Sequence, residues 1–196
     1  MGLFLDAANA WNDLHNISYI LDIARKGVLT RIDSSFIDED FPHLAGMQYA
    51  RDVDFGIREA EYYGARLIPA LLNKRIDDSK IEESRNWIKI SGRLTAIINL
   101  QNTLDNEFCI VSFNKMKVRT FCQIEAKFLI KSMVSEDIYF LFLDERSGRY
   151  YCKSAFCKEF TDYMENQSPM KVLQKIKMID NVPHTIFISH GYMPEE

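Results

Sequence analysis

Residues 118–130 read VRTFCQIEAKFLI, and the fold turns on how this stretch is read. At a period of two, Arg119, Phe121, Gln123, Glu125 and Lys127 project to one side. Thr120, Cys122, Ile124, Ala126 and Phe128 project to the other. The second set is mostly apolar and belongs against a core. The first set is polar, with two bases, an acid and an amide. The expectation is a strand with one wet face. The same β-branched and aromatic texture recurs in FCIVSF (108–113), IYFLFL (138–143), RYYCKSAF (149–156) and VLQKIKMI (172–179). ERSG (145–148) is a hairpin turn between two of them.

Upstream of residue 107 the period is helical. In residues 3–27, Phe4, Ala7, Ala8, Trp11, Leu14, Ile17, Leu21 and Ala24 recur on one helical face. Arg25 and Lys26 suit the negative end of that helix, and Gly27 suits its stop. VLTRID (28–33) reads as one short strand. Residues 56–75 and 81–104 read as two further helices. Pro69 interrupts the first, and the second shows a face of Trp87, Ser91, Leu94 and Ile98 with Ile97 beside it. The predicted fold is α+β, an N-terminal helical layer on a mainly antiparallel sheet of about four or five strands. The predicted division is a mainly helical part with one short strand over 1–107, a sheet part of the same domain over 108–180, and a C-terminal tail over 181–196.

Composition narrows the class. The chain has 196 residues, 47% apolar and 27% charged, which is the balance of a globular protein with a sizeable core. No apolar run is long enough to span a membrane, and the N-terminus lacks the pattern of a secretion signal. The reading is a cytosolic protein with no membrane partner. Cys109, Cys122, Cys152 and Cys157 form no C-x-x-C pair, so buried free thiols are expected and no metal. Charge is uneven: residues 1–114 hold 12 Lys and Arg against 17 Asp and Glu, whereas residues 115–180 hold 12 against 9. A basic segment inside an acidic chain fits a face that meets phosphate.

Nucleotide-binding and hydrolase signatures of the Gly-rich, H-E-x-x-H and G-x-S-x-G kinds are absent. His15 falls on the polar side of the first helix pattern. His184 and His190 lie about 20 Å apart in an extended chain at about 3.3 Å per residue, too far to share a metal. His43 remains. In FPHLAG (41–46), Asp40 is the expected N-cap and Pro42 suits the first turn. The helix end there disfavours imidazolium and lowers the His43 pKa. The ring is either a packed structural residue or a general acid or base at the edge of a core. In RYYCKSAF, Tyr151, Lys153 and Ala155 alternate with Tyr150, Cys152, Ser154 and Phe156, and Ser154 is a small hydroxyl among large side chains.

FPHLAG after a short strand, then IEAKFLI, IYFLFL, YCKSAF and VLQKIKMI, together resemble the phage-associated branch of the barnase–EndoU–colicin–RelE superfamily of small ribonucleases. The likeness covers roughly residues 27–180. It implies a helical layer followed by an antiparallel sheet, and metal-independent RNA cleavage by a protein of phage, toxin or mobile-element type. The histidine of the HL motif is then His43 and the hydroxyl of the S-x-F strand is Ser154. Where such proteins usually read A-D-Y-L, residues 126–129 read A-K-F-L, with Lys127 in the acidic position. The implied catalytic set is His43, Ser154, Lys127 and Glu125, with Arg119, Lys153 and Tyr151 binding substrate. No cofactor is called for. The implied partners are RNA and an immunity or host protein. A catalytically inactive nuclease-fold module that binds a protein or nucleic acid stays open beside the enzyme, while a small-molecule enzyme has no pocket signature to support it.

Overall fold

The structure is a computed structural model that describes residues 2–56 and 64–194. Helix α1 (Leu3–Asn12) leads into strands β1 (Ile17–Arg25) and β2 (Val28–Ser35), and then into a short helix α2 (Phe41–Leu44). Helices α3 (Leu67–Leu72), α4 (Trp87–Ile98) and α5 (Leu100–Asp105) follow. The remaining strands are β3 (Phe108–Ser112), β4 (Phe128–Val134), β5 (Asp137–Arg146), β6 (Arg149–Cys157), β7 (Ser168–Ile179) and β8 (Val182–Ile188).

The expected open sheet of about four or five strands under a helical layer is not formed. Eight strands run in the order β1-β2-β6-β5-β4-β3-β7-β8, and β1 also pairs with β7. Seven of them thereby close into a barrel, with β8 flanking β7. Every pairing is antiparallel except β2 with β6, which meet in parallel at Ser34 and Tyr150. The β1–β7 seam removes the edges that an open sheet of this order would leave along β1 and along one side of β7.

The helix expected over 3–27 ends at Asn12. Its apolar residues Phe4, Ala7, Ala8 and Trp11 are fully buried. Beyond it, the buried apolar residues of β1 are Tyr19, Leu21 and Ile23, a period of two. Ile17 and Leu21 fit both periods, which is why the helical reading ran on too far. Gly27 is therefore not a helix stop. With Lys26 it forms the turn of the β1–β2 hairpin, both at positive φ (51° and 80°). The turns at Ser135–Glu136, Ser147–Gly148 and Asp180–Asn181 share that conformation, the type I′ geometry that suits a twisted two-residue hairpin. The expected ERSG turn is one of these. Residues 182–188, read as tail, are β8.

The 56–75 helix is observed only as α3, whose first turn contains Pro69; residues 57–63 of that reading lie outside the described residues. The face that α4 buries is Ile90, Leu94 and Ile97, not Trp87, Ser91 and Ile98.

Residues 118–127 do not form a strand. They still alternate: Phe121, Gln123, Glu125 and Lys127 are exposed, while Cys122, Ile124 and Ala126 are half-buried. The half-buried residues lie on a second core of Val111, Phe113, Leu129, Phe140 and Phe142. The main core, on the other face of β5 through Tyr139, Leu141 and Leu143, receives α1 and α4. The two-residue period therefore reports an extended chain laid over an apolar face, with no ladder partner along most of its length.

All four cysteines are free thiols. Cys152 is buried, but Cys109 is exposed, against the expectation of burial. Among the described residues, no helix is long and apolar enough to cross a membrane.

Candidate active site

His43 is carried by α2, which is anchored at both ends. Before it, Asp40 accepts a hydrogen bond at 3.1 Å from Arg149 Nη2, at the start of β6, and the same nitrogen donates to the Ser35 carbonyl at 3.1 Å. Asp40 precedes the helix as expected, but its side chain makes no capping bond. After the helix, Gly46 takes φ of 84°, and a Cβ there would stand 3.0 Å from Arg93 Cδ and 3.6 Å from Ile90. Only glycine fits this turn, for its backbone conformation and for its closeness to α4.

The ring of His43 is accessible from a cleft of about 280 Å³. Ser154, Lys153 and Glu125 line the same cleft, as do Arg93, Gln48, Tyr49 and Gln123. Lys153 and Ser154 are neighbours on a strand, where side chains normally point to opposite faces. A β-bulge resolves this. Phe142 pairs with Ser154 and Leu143 with Cys152, so Lys153 is the extra residue. Bulges of this kind bend the strand and re-aim a side chain. Here the result is an ammonium and a hydroxyl facing one cleft.

Electrostatics set the state of each group. The His43 pKa is lowered, first by burial and then by the Arg93 and Lys153 charges, so the ring is neutral at pH 7. The direction matches the sequence expectation, but these causes replace the helix end. Lys115 forms an ion pair with Glu125 and holds its pKa below the ordinary carboxylate value. Lys153 donates to Asp144 Oδ2 at 2.6 Å. Arg93 differs from both. Its guanidinium lies 5.3 Å from the Tyr49 ring centre and 5.7 Å from that of Phe156. No carboxylate among the described residues pairs with it, and its Nη1 is buried with no hydrogen-bond partner. Gln48 Oε1 is likewise buried and unpartnered. Burial lowers the Arg93 pKa, yet an arginine stays charged from so high a starting value. An unpaired guanidinium beside an open cleft is suited to an anion with several oxygens.

Four of the seven residues singled out from sequence, His43, Ser154, Glu125 and Lys153, therefore come together. The other three do not line the cleft. Lys127 is ion-paired with Glu145, Arg119 bonds Glu165 at 3.0 Å, and Tyr151 lies under Arg146 at 4.7 Å. The residue that sequence reading missed is Arg93. It did leave a signal, because in Ile90, Arg93, Leu94, Ile97 a charge occupies an apolar helical position. Among the described residues no three His, Cys, Asp or Glu side chains gather as a metal-ligand set.

Comparison with protein families gives a match over residues 3–187, to the model described as PBECR4, phage-Barnase-EndoU-ColicinE5/D-RelE like nuclease 4. Comparison with curated proteins and with solved structures gives no match.

Proposed function

The chain belongs to the phage-Barnase-EndoU-ColicinE5/D-RelE like nuclease 4 family, and from that premise we propose that it is an endoribonuclease that needs no metal ion. The observation that carries this reading is the meeting of a neutral, accessible His43 with an unpaired Arg93 guanidinium in one cleft.

In this reading His43 takes the proton from a ribose 2′-hydroxyl. The 2′-oxygen attacks the adjacent phosphorus, and the bond from phosphorus to the 5′-oxygen breaks. The departing oxygen takes its proton from water in the open cleft, and the proton held by His43 passes to the hydroxide so formed, restoring both the water and the neutral ring. Arg93 and Lys153 neutralise the charge gathering on the phosphoryl oxygens, and the Ser154 hydroxyl donates to one of them. Glu125, kept ionised by Lys115, accepts a ribose hydroxyl and orients it. The products are a 2′,3′-cyclic phosphate end and a 5′-hydroxyl end.

Incubating the full chain with single-stranded RNA at pH 7.5, with and without EDTA, tests the reading. The expected result is cleavage in both conditions, cyclic phosphate ends, and no cleavage of DNA or 2′-O-methyl RNA. Cleavage that EDTA abolishes, or equal cleavage of 2′-O-methyl RNA, sinks it. Binding of RNA without cleavage points instead to a non-catalytic nucleic-acid-binding module.

A further inference from the structure

Arg93 has a second side. Tyr49 and Arg93 also border a neighbouring hollow of about 220 Å³, whose lining includes the rings of Phe156, Tyr163 and Phe160 and one charge of each sign, Lys89 and Glu159. Its aromatic floor is built of rings packed on one another. Phe156 stacks on Phe142 with centres 5.6 Å apart and planes 29° apart, and Tyr163 meets Phe156 edge-on at 5.5 Å. Lys89 Nζ stands 5.8 Å from the Tyr49 ring centre.

Phe160 stands at the rim of this hollow. It is 96% exposed, with no aromatic partner among the described residues. Its loop is nonetheless held to the segment over 118–127. Thr161 bonds Thr120 at 3.3 Å, and Glu165 bonds Arg119 at 3.0 Å. An exposed ring at the rim of an aromatic hollow offers a flat apolar face on which another flat group can stack.

Resting on the nuclease reading above, we propose that this hollow seats an unpaired nucleobase of the RNA whose phosphate lies at His43 and Arg93. The chemistry of the walls fits. Aromatic rings accept any base by its face, and a guanidinium stacked on two rings adds a cation to the same surface. Arg93 is shared by both hollows, so one residue faces the phosphate on one side and the base on the other. A paired base keeps its faces covered by its neighbours, so the site selects single strands or loops over duplex.

The test uses the full chain and two non-cleavable probes, a 2′-O-methyl RNA tetramer of adenosines and its abasic counterpart with the same sugar–phosphate length. The wild type should bind the adenosine tetramer at least about 5-fold more tightly than the abasic one, the lower end of what one stacked base contributes. Phe160→Ala should remove most of that advantage and leave abasic binding unchanged. Phe160→Trp should keep it. Because Phe160 is almost wholly exposed, folding is not at stake in either variant. An equal loss on both probes, or no loss on either, overturns the base seat. Cleavage of ordinary RNA is read in parallel. If the wild type cleaves RNA but binds the two probes equally, the base seat falls and the nuclease reading stands. If the probes are discriminated but no RNA is cleaved, the nuclease reading falls and the base seat stands.

Discussion

At the scale of single residues, His43 and Arg93 do different work and their variants should fail differently. His43→Ala should lower the cleavage rate by about 100-fold or more, the usual worth of one proton-transfer group, with little change in thermal stability because the ring is accessible. A loss of stability with full activity would identify a structural histidine instead. The lowered His43 pKa also sets a pH limb. The ring stays a competent base below the ordinary imidazole value of about 6.5, so the acid limb of kcat/KM should fall below that pH and shift in His43 variants. The sign for stability follows. The folded ring resists a proton that the unfolded ring accepts near pH 6.5, so this contribution is full above that pH and is lost as pH falls through the lowered value. Arg93→Met keeps the length of the side chain and removes a buried, unpaired charge. It should leave stability unchanged or raised and cost cleavage about 100-fold, as removal of a donor to a developing oxyanion does. A Met variant that melts early would show the guanidinium to be structural. Sequence made His43, Ser154, Glu125 and Lys153 legible through FPHLAG, the period of the extended segment and the S-x-F strand. It hid Arg93 because a helical wheel treats a charge among apolar residues as noise, whereas the structure shows it aimed at a cleft.

At the scale of elements, two features escaped the pattern. Period two is shared by a strand and by any extended chain on an apolar face, so residues 118–127 alternate without a ladder. The bulge at Lys153 is invisible in RYYCKSAF, because an unbulged strand has the same composition and its side chains would alternate strictly. The hairpins are the reverse case, with turn residues that can be tested directly. Glu136, between β4 and β5, adopts φ of 75°, where a side chain is strained and glycine is not. Its removal from that conformation touches no residue of the cleft. Glu136→Gly should therefore stabilise the protein by about 0.5–1 kcal/mol, read as a higher urea midpoint with unchanged slope. The reverse exchange at Gly148, to alanine at φ of 81°, should lower the midpoint by a similar amount or more. Opposite signs at two turns of one type would establish that backbone conformation, and not contacts, governs them.

At the scale of the whole molecule, the barrel was illegible because its closure depends on partners far apart in the chain. Ile17 of β1 meets Ile179 of β7, and Ser34 of β2 meets Tyr150 of β6. Periodicity reports which face of a strand is buried and is silent about which strand lies beside it. The closed seam also explains a buried cation. Lys175, on β7, is 5% exposed and donates to the carbonyls of Leu104, Asp105 and Asn106 at 2.7, 3.3 and 2.6 Å. It thereby satisfies the free carbonyls at the C-terminal end of α5, where a positive charge is favoured. Lys177 and Tyr19 bind the two oxygens of Asp105, both at 2.7 Å, so β1, β7 and α5 are joined at one point. Burial pushes the Lys175 pKa down to about 8, with Asp105 and Glu107 opposing the shift. An unfolded lysine titrates near 10.4. Between about pH 8 and that value the unfolded chain therefore binds the extra proton, and stability from this group rises with pH across the window. Lys175→Met removes both the capping bonds and the titration. At pH 7 the variant should be less stable, because three carbonyls lose their donor. From pH 8 to 10 the wild type should gain further on the variant in urea midpoint. A difference that stays flat over that range would mean the lysine keeps its proton at the seam, and that its hydrogen bonds outweigh the cost of burying its charge.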